Sequence, residues 1–366
     1  MRRLLLALAL LACAAPLRAQ APANPGVLNV YNWADYIDPA ALERFTRETG
    51  IRVRYDVYDT LETLEGKLSA GRSGYDIVVP TSEPSFNRLL RAGALRPLDM
   101  ARIPNARHLD PALMAEVAKL DTGNRHGVIY LWGTVGLAVV PERIRALWPD
   151  APLDSLELVL NPENLRRIAR CGVVVMDSAV DVLPTVLRHL GRDPLSGDAA
   201  DLAEAQRRLL AIRPHLRAIP SPPAIIEQLA AGEVCAALAY SGDTIQAGAR
   251  AREAGRPFTV QYLPPREGAQ LSFDMLAIPA DAPNPEAAHA FINFVLQPEV
   301  MAGITRQVRY PNAVPASRAL LPAELREDPS IFPPPEVIAR SFLAGTPPQA
   351  AERARARLWA RFKAGR

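Results

Sequence analysis

Tyr31-Asn32-Trp33-Ala34-Asp35-Tyr36-Ile37-Asp38 is the stretch on which the fold turns. Upstream of it, Leu28 to Tyr31 reads as a short apolar strand. Downstream, Asp38-Pro39 supplies an N-cap and a first-turn proline for a helix running to Gly50. In an open α/β sheet such strand-to-helix turns lie at the carboxyl edge of the strands, where ligands collect. An acid between a Trp and a Tyr at that edge is equipped for an organic cation, because the rings offer negative faces and the carboxylate a full charge. The alternative is that both rings cap the core and Asp35 is solvated.

Toward the N-terminus, Met1 to about Ala21 has the form of a secretory signal peptide. Arg2 and Arg3 precede a Leu/Ala-rich run from Leu4 to Ala15, and small residues follow at Ala19 and Ala21. The run is too short to span a membrane. A periplasmic protein is therefore expected, with cleavage after Ala21 or Ala19. Leu10-Leu11-Ala12-Cys13 resembles a lipobox and leaves open a lipid anchor through Cys13.

Losing Arg2, Arg3 and Arg18 with the signal takes 42 basic residues to 39, equal to the 39 acidic ones. The mature chain is then close to neutral and has no basic-aromatic stripe, which argues against a nucleic-acid partner. Its length exceeds one comfortable core and suggests two lobes. Of the cysteines, Cys171 and Cys235 would remain. In an oxidising compartment they read most simply as one disulfide, with two buried thiols as the alternative. Neither belongs to a metal-binding spacing.

Toward the C-terminus a βα rhythm repeats. Ile51 to Val57 is rich in β-formers, and Thr60 opens a helix whose Leu61, Leu64 and Leu68 share a face before Gly71. Tyr75 to Val79 is a buried strand that stops at Pro80, followed by Thr81-Ser82-Glu83. Tyr130 to Leu137 is apolar with two glycines, suited to a hinge. Val173 to Met176 leads into Asp177-Ser178-Ala179-Val180-Asp181, and Val234 to Ala239 leads into Tyr240-Ser241-Gly242-Asp243. Ser272 to Pro279 is a strand with one acid, Asp274, among apolar neighbours; such a carboxylate needs a cation or donors. Leu358, Trp359 and Phe362 form an apolar stripe on a basic terminal helix, Arg353 to Lys363. No GxGxxG, Walker A or GxSxG sequence occurs, and the five histidines have no metal spacing or nucleophile partner.

These turns, together with Asp154-Ser155-Leu156-Glu157-Leu158-Val159-Leu160-Asn161-Pro162-Glu163-Asn164-Leu165 and Arg309-Tyr310-Pro311-Asn312-Ala313, resemble periplasmic polyamine-binding proteins, the solute receptors of bacterial ABC importers. The resemblance runs from about Leu28 to Lys363. It implies an α/β, two-lobed periplasmic binding protein fold of type II with the ligand in the interlobe cleft. The lobes are expected at 26–132 plus 256–305 and at 133–255 plus 306–366. It also implies a polyamine ligand, putrescine, spermidine or a related cation, delivered to ABC permease subunits driven by a cytoplasmic ATPase. No cofactor, metal or catalytic residue is expected, and the protein is expected to be a monomer.

The resemblance carries ligand contacts onto Trp33, Ala34, Asp35 and Tyr36 in the first turn. It carries others onto Ser82, where this chain is one residue longer, and onto Asp181, Tyr240, Asp243, Ser272, Asp274 and Tyr310. Three departures from the putrescine-type pattern concern the ligand. Ala34 lacks a hydroxyl, Asp181 replaces a glutamate, and Ser272 stands where an aromatic residue is found. A sensor of the same fold for another cation and a secreted enzyme on this fold are the alternatives.

Overall fold

The computed structural model describes residues 26–366. The expected signal peptide at 1–21 and the lipobox at Cys13 lie outside the described residues. The strands, in chain order, are β1 (Val27–Trp33), β2 (Arg52–Tyr58), β3 (Ile77–Val78), β4 (Gly127–Val139), β5 (Val173–Val175), β6 (Ala236–Tyr240), β7 (Gln261–Leu263), β8 (Gln270–Ala277) and β9 (Phe342–Leu343).

They form one mixed sheet in the order β2-β1-β3-β8-β4-β6-β5, with β7 added to β4 and β9 to β8. β1 lies parallel to β2 and β3, and β5 parallel to β6, as βα crossovers require. The middle of the sheet is antiparallel, where β4 pairs with β8 on one side and β6 on the other.

Helices cover both faces and generate two separate cores. The first gathers Leu28, Phe45, Ile77, Ile129, Phe291 and Met301; the second gathers Leu137, Val159, Val174, Leu187, Leu209 and Leu238. β4 belongs to both, since Val128 to Leu131 pack into the first and Val135 to Val139 into the second. Its thirteen residues, buried almost throughout, form a backbone link between the lobes.

Val260 and β7 sit with the second core, while Val308, Tyr310, Ala313 and Val314 pack into the first. We place the boundaries near 264 and 314. The loop at 309–314 is held to the first lobe by pairing with β4: Trp132 N–H donates to the Pro311 carbonyl at 3.0 Å, and Leu131 bridges Asn312.

Local signals explain the first lobe's entry. Asp38 caps helix Pro39–Thr49 by accepting from Ala40 N–H, and Gly50 closes it at φ 73°. Thr60 caps helix Leu61–Ser69 in the same way through Thr63 N–H. In the second lobe Cys171 and Cys235 are joined by a disulfide, with Cα atoms 5.6 Å apart. By loop-closure entropy a link over 64 residues stabilises by about 4 kcal/mol. The C-terminal helix, Gln349–Ala364, docks on the second core through Leu358, Trp359 and Phe362. One of its arginines is not solvated: Arg355 is buried and donates to the carbonyls of Pro194 and Ser196. No described helix is long and apolar enough to cross a membrane.

Candidate functional site

The carboxyl ends of β1, β2, β5 and β6 point at one cleft between the two cores, and the middle of β8 forms its floor. The cleft encloses about 930 Å³, open mouth included. Aromatic walls come from Trp33, Tyr36 and Tyr58 on the first lobe, Tyr240 on the second, and Tyr310 on the 309–314 loop.

Tyr310 stands where it does because glycine backbones admit it. A Cβ on Gly242 would lie 2.1 Å from its ring, and one on Gly133 would lie 2.8 Å away. Its edge meets the Tyr36 ring with centroids 5.0 Å apart. Its hydroxyl donates to Asp243 Oδ1 at 2.8 Å. Asp243 sits in the first turn of helix Ser241–Glu253, directly after β6.

Asp274 occupies the floor. Tyr36 Oη donates to its Oδ2 at 2.6 Å, and Thr81 Oγ1 donates to its Oδ1 at 2.8 Å. Asp181 closes the second-lobe end. It accepts from Tyr240 Oη at 2.6 Å, from Gln270 Nε2 at 2.8 Å and from Ser178 Oγ. Glu83 is buried at the first-lobe edge, taking hydrogen bonds from Asn87 Nδ2 at 2.9 Å and from Thr346 Oγ1.

Among the described residues, seven acidic side chains line the cleft and no Lys, Arg or His does. Among the described residues none of Glu83, Asp181, Asp243 and Asp274 has a basic nitrogen within ion-pair distance of 4.0 Å. Burial therefore dominates their titration. It pushes Asp243 up to about 7, with the Tyr310 hydrogen bond pulling down and the charge of Asp35 pushing up. It pushes Asp274 up to about 6 against the hydrogen bonds from Tyr36 and Thr81. Asp181 and Glu83 are raised for the same reason. Tyr36, Tyr240 and Tyr310 are held well above the usual phenol range by burial and the neighbouring carboxylates, so they remain neutral donors. Such a site stabilises positive charge from outside. Trp33 Nε1 is buried there with no hydrogen-bond partner. Among the described residues no group of three or more His, Cys, Asp or Glu side chains is placed to hold a metal.

Of the residues expected at the site, Trp33, Ala34, Tyr36, Asp181, Tyr240, Asp243, Ser272, Asp274 and Tyr310 line the cleft. Asp35 and Ser82 do not. Asp35 takes a left-handed backbone at φ 54°, which turns its exposed carboxylate outward to Arg250, Nη2 to Oδ1 3.2 Å. Ser82 is buried in the turn that opens at this point, and Thr81 supplies the hydroxyl instead because its backbone bridges Asp274. Sequence reading also missed Tyr58, Glu62 and Glu83, as well as Pro222 and Ile226 on a second-lobe helix. Tyr58 ends β2 and Asp59 through Glu62 follow it, at the same sheet edge as Trp33, so the same strand-to-helix rule finds them.

Residues 40–333 match the model of the bacterial extracellular solute-binding protein family. The chain is 44% identical to the putrescine-binding periplasmic protein SpuD of Pseudomonas aeruginosa over 95% of its length and 94% of that protein's. It is 42% identical to the putrescine-binding periplasmic protein PotF of Escherichia coli, covering 94% of this chain and 93% of that one. Among solved structures, the spermidine/putrescine ABC transporter substrate-binding protein PotD of Streptococcus pneumoniae superposes with a TM-score of 0.75 at 28% identity, covering 93% of this chain and 99% of that one.

Proposed function

The chain belongs to the bacterial extracellular solute-binding protein family, and on that premise we propose that it captures a linear polyamine in the interlobe cleft and presents it to an ABC importer. The observation that carries this reading is the cleft lined, among the described residues, by seven acids and five aromatic rings with no basic side chain. A flexible diamine or triamine matches it group by group. Its ammonium ends meet Asp243, Asp274 and Asp181, while its methylenes lie against Trp33, Tyr36, Tyr240 and Tyr310. The nine expected residues that line the cleft are its ligand contacts in this reading.

Magnitudes are consistent with tight capture. Burying a four-carbon spine contributes about 3 kcal/mol at about 0.8 per methylene. Ammonium contacts with desolvated rings add about 2 kcal/mol. Charge-assisted hydrogen bonds to the acids supply the remainder of the roughly 8 kcal/mol that a micromolar dissociation constant represents.

The family and its relatives, which are named as periplasmic binding proteins, support export to the periplasm, work with permease and ATPase subunits, and binding without turnover. The relatives also include a putrescine/agmatine-binding protein of Pseudomonas aeruginosa, 38% identical over 92% of both chains. Ala34 and Ser272 are small where they face the cleft, which leaves room beyond a short diamine. A calorimetric panel of putrescine, cadaverine, agmatine, spermidine and spermine tests the reading. Binding of at least one, with spermidine or agmatine matching or exceeding putrescine, is expected. A protein that binds none of the five is not a polyamine receptor.

A further inference from the structure

A charge count separates the cleft from a site for a diamine alone. Four acids within it, Glu83 and Asp181 buried and Asp243 and Asp274 partly buried, lack an ion-pair partner among the described residues. A diamine brings two positive charges, which leaves two of these groups uncompensated. Buried charge of that kind is costly unless it is paired or neutralised. A third cationic group on the ligand would remove part of the imbalance.

Glu83 is the acid best placed to take it. Three donors already converge on the carboxylate of Asp181, whereas among the described residues only Asn87 and Thr346 reach Glu83, one to each oxygen, leaving acceptor capacity on both. The cations near Glu83 are Arg88 and Arg91. Arg88 is engaged elsewhere, with Glu65 and Glu352. Glu83 belongs to the first lobe. Thr346 lies on the segment that enters the C-terminal helix, which packs on the second. The same carboxylate thus faces the ligand space and touches the opposite lobe.

We propose that Glu83 receives a third cationic group of the ligand, so that the cleft favours a linear triamine over a diamine. This rests on the polyamine reading above. Calorimetry with putrescine and spermidine on the parent, Glu83→Gln and Asp274→Asn tests it. Glu83→Gln is expected to weaken spermidine at least tenfold while changing putrescine less than threefold, and Asp274→Asn to weaken both. Equal effects of Glu83→Gln on the two amines, or none on either, overturn the role of Glu83 and leave polyamine binding intact. A parent that binds neither amine overturns the polyamine reading and this inference with it. Glu83→Asp keeps the charge but shortens its reach by one methylene. It is expected to lose spermidine affinity selectively and by less, and an equal loss for both amines counts against the proposal.

Discussion

Arg250 of the second lobe reaches Asp35 of the first, Nη2 to Oδ1 3.2 Å, outside the mouth of the cleft. The pair joins the helix that carries Asp243 to the turn that carries Trp33 and Tyr36, so it ties the two lobes across the cleft. Arg250 also holds Glu227 on its own lobe, which orients the guanidinium for the crossing.

Because both partners are about a third or more exposed, the pair contributes about 0–1 kcal/mol to closure. Arg250→Ala is therefore expected to weaken ligand binding no more than about fivefold, chiefly through faster release. Stopped-flow dissociation would show this. An unchanged release rate would mean that the bridge follows closure without stabilising it.

Asp243→Asn and Asp274→Asn each leave a ligand ammonium buried without its counter-charge. Each is expected to cost about 2–4 kcal/mol of binding. Both proteins should fold, since the amide oxygen can accept from Tyr310 in the first and from Tyr36 or Thr81 in the second, where the amide nitrogen donates to the remaining hydroxyl. Circular dichroism melts and calorimetry on the same samples separate the two effects.

The same acids set opposite pH dependences for stability and affinity. Their folded values, about 7 and about 6, lie above the ordinary 3.8. A raised value means the folded state holds the proton more tightly. The unliganded protein therefore has their full contribution below about pH 4 and loses it as pH rises through 6 to 7. Ligand cations favour the ionised forms, so affinity moves the other way and is expected to be at least about tenfold weaker at pH 5 than at pH 8. Melting curves with and without spermidine across this range would reveal a ligand-induced shift that grows with pH. A shift independent of pH would contradict the assignment.

Gly242→Ala tests the placement of Tyr310. The added Cβ would overlap the Tyr310 ring at 2.1 Å, so the ring must leave the cleft wall and Asp243 loses its donor. Binding is expected to fall at least tenfold and the melting temperature to fall as well, because Tyr310 lines the cleft and also packs into the first core. Calorimetry alongside a thermal melt reads both quantities.

Much of this site was legible because its parts are local. Trp33, Tyr36, Asp181, Tyr240 and Asp243 all stand where a strand runs out and a helix begins, and a caps-and-periodicity reading finds such places. What escaped depends on backbone direction or distant pairing. The left-handed turn at Asp35 swings its carboxylate away from the rings beside it. The bridge between Thr81 and Asp274 joins positions far apart in the chain, and it decides that Thr81, not Ser82, supplies the hydroxyl. The docking of the 309–314 loop was hidden for a related reason, since it is bound by β4 of the opening half of the chain.

Seven acids and no Lys, Arg or His among the described residues that line it give the cleft a negative potential at its mouth. That potential draws in dissolved small cations as well as amines, so capture competes with salt. Occupancy is therefore expected to be lower in a salty medium than in dilute buffer.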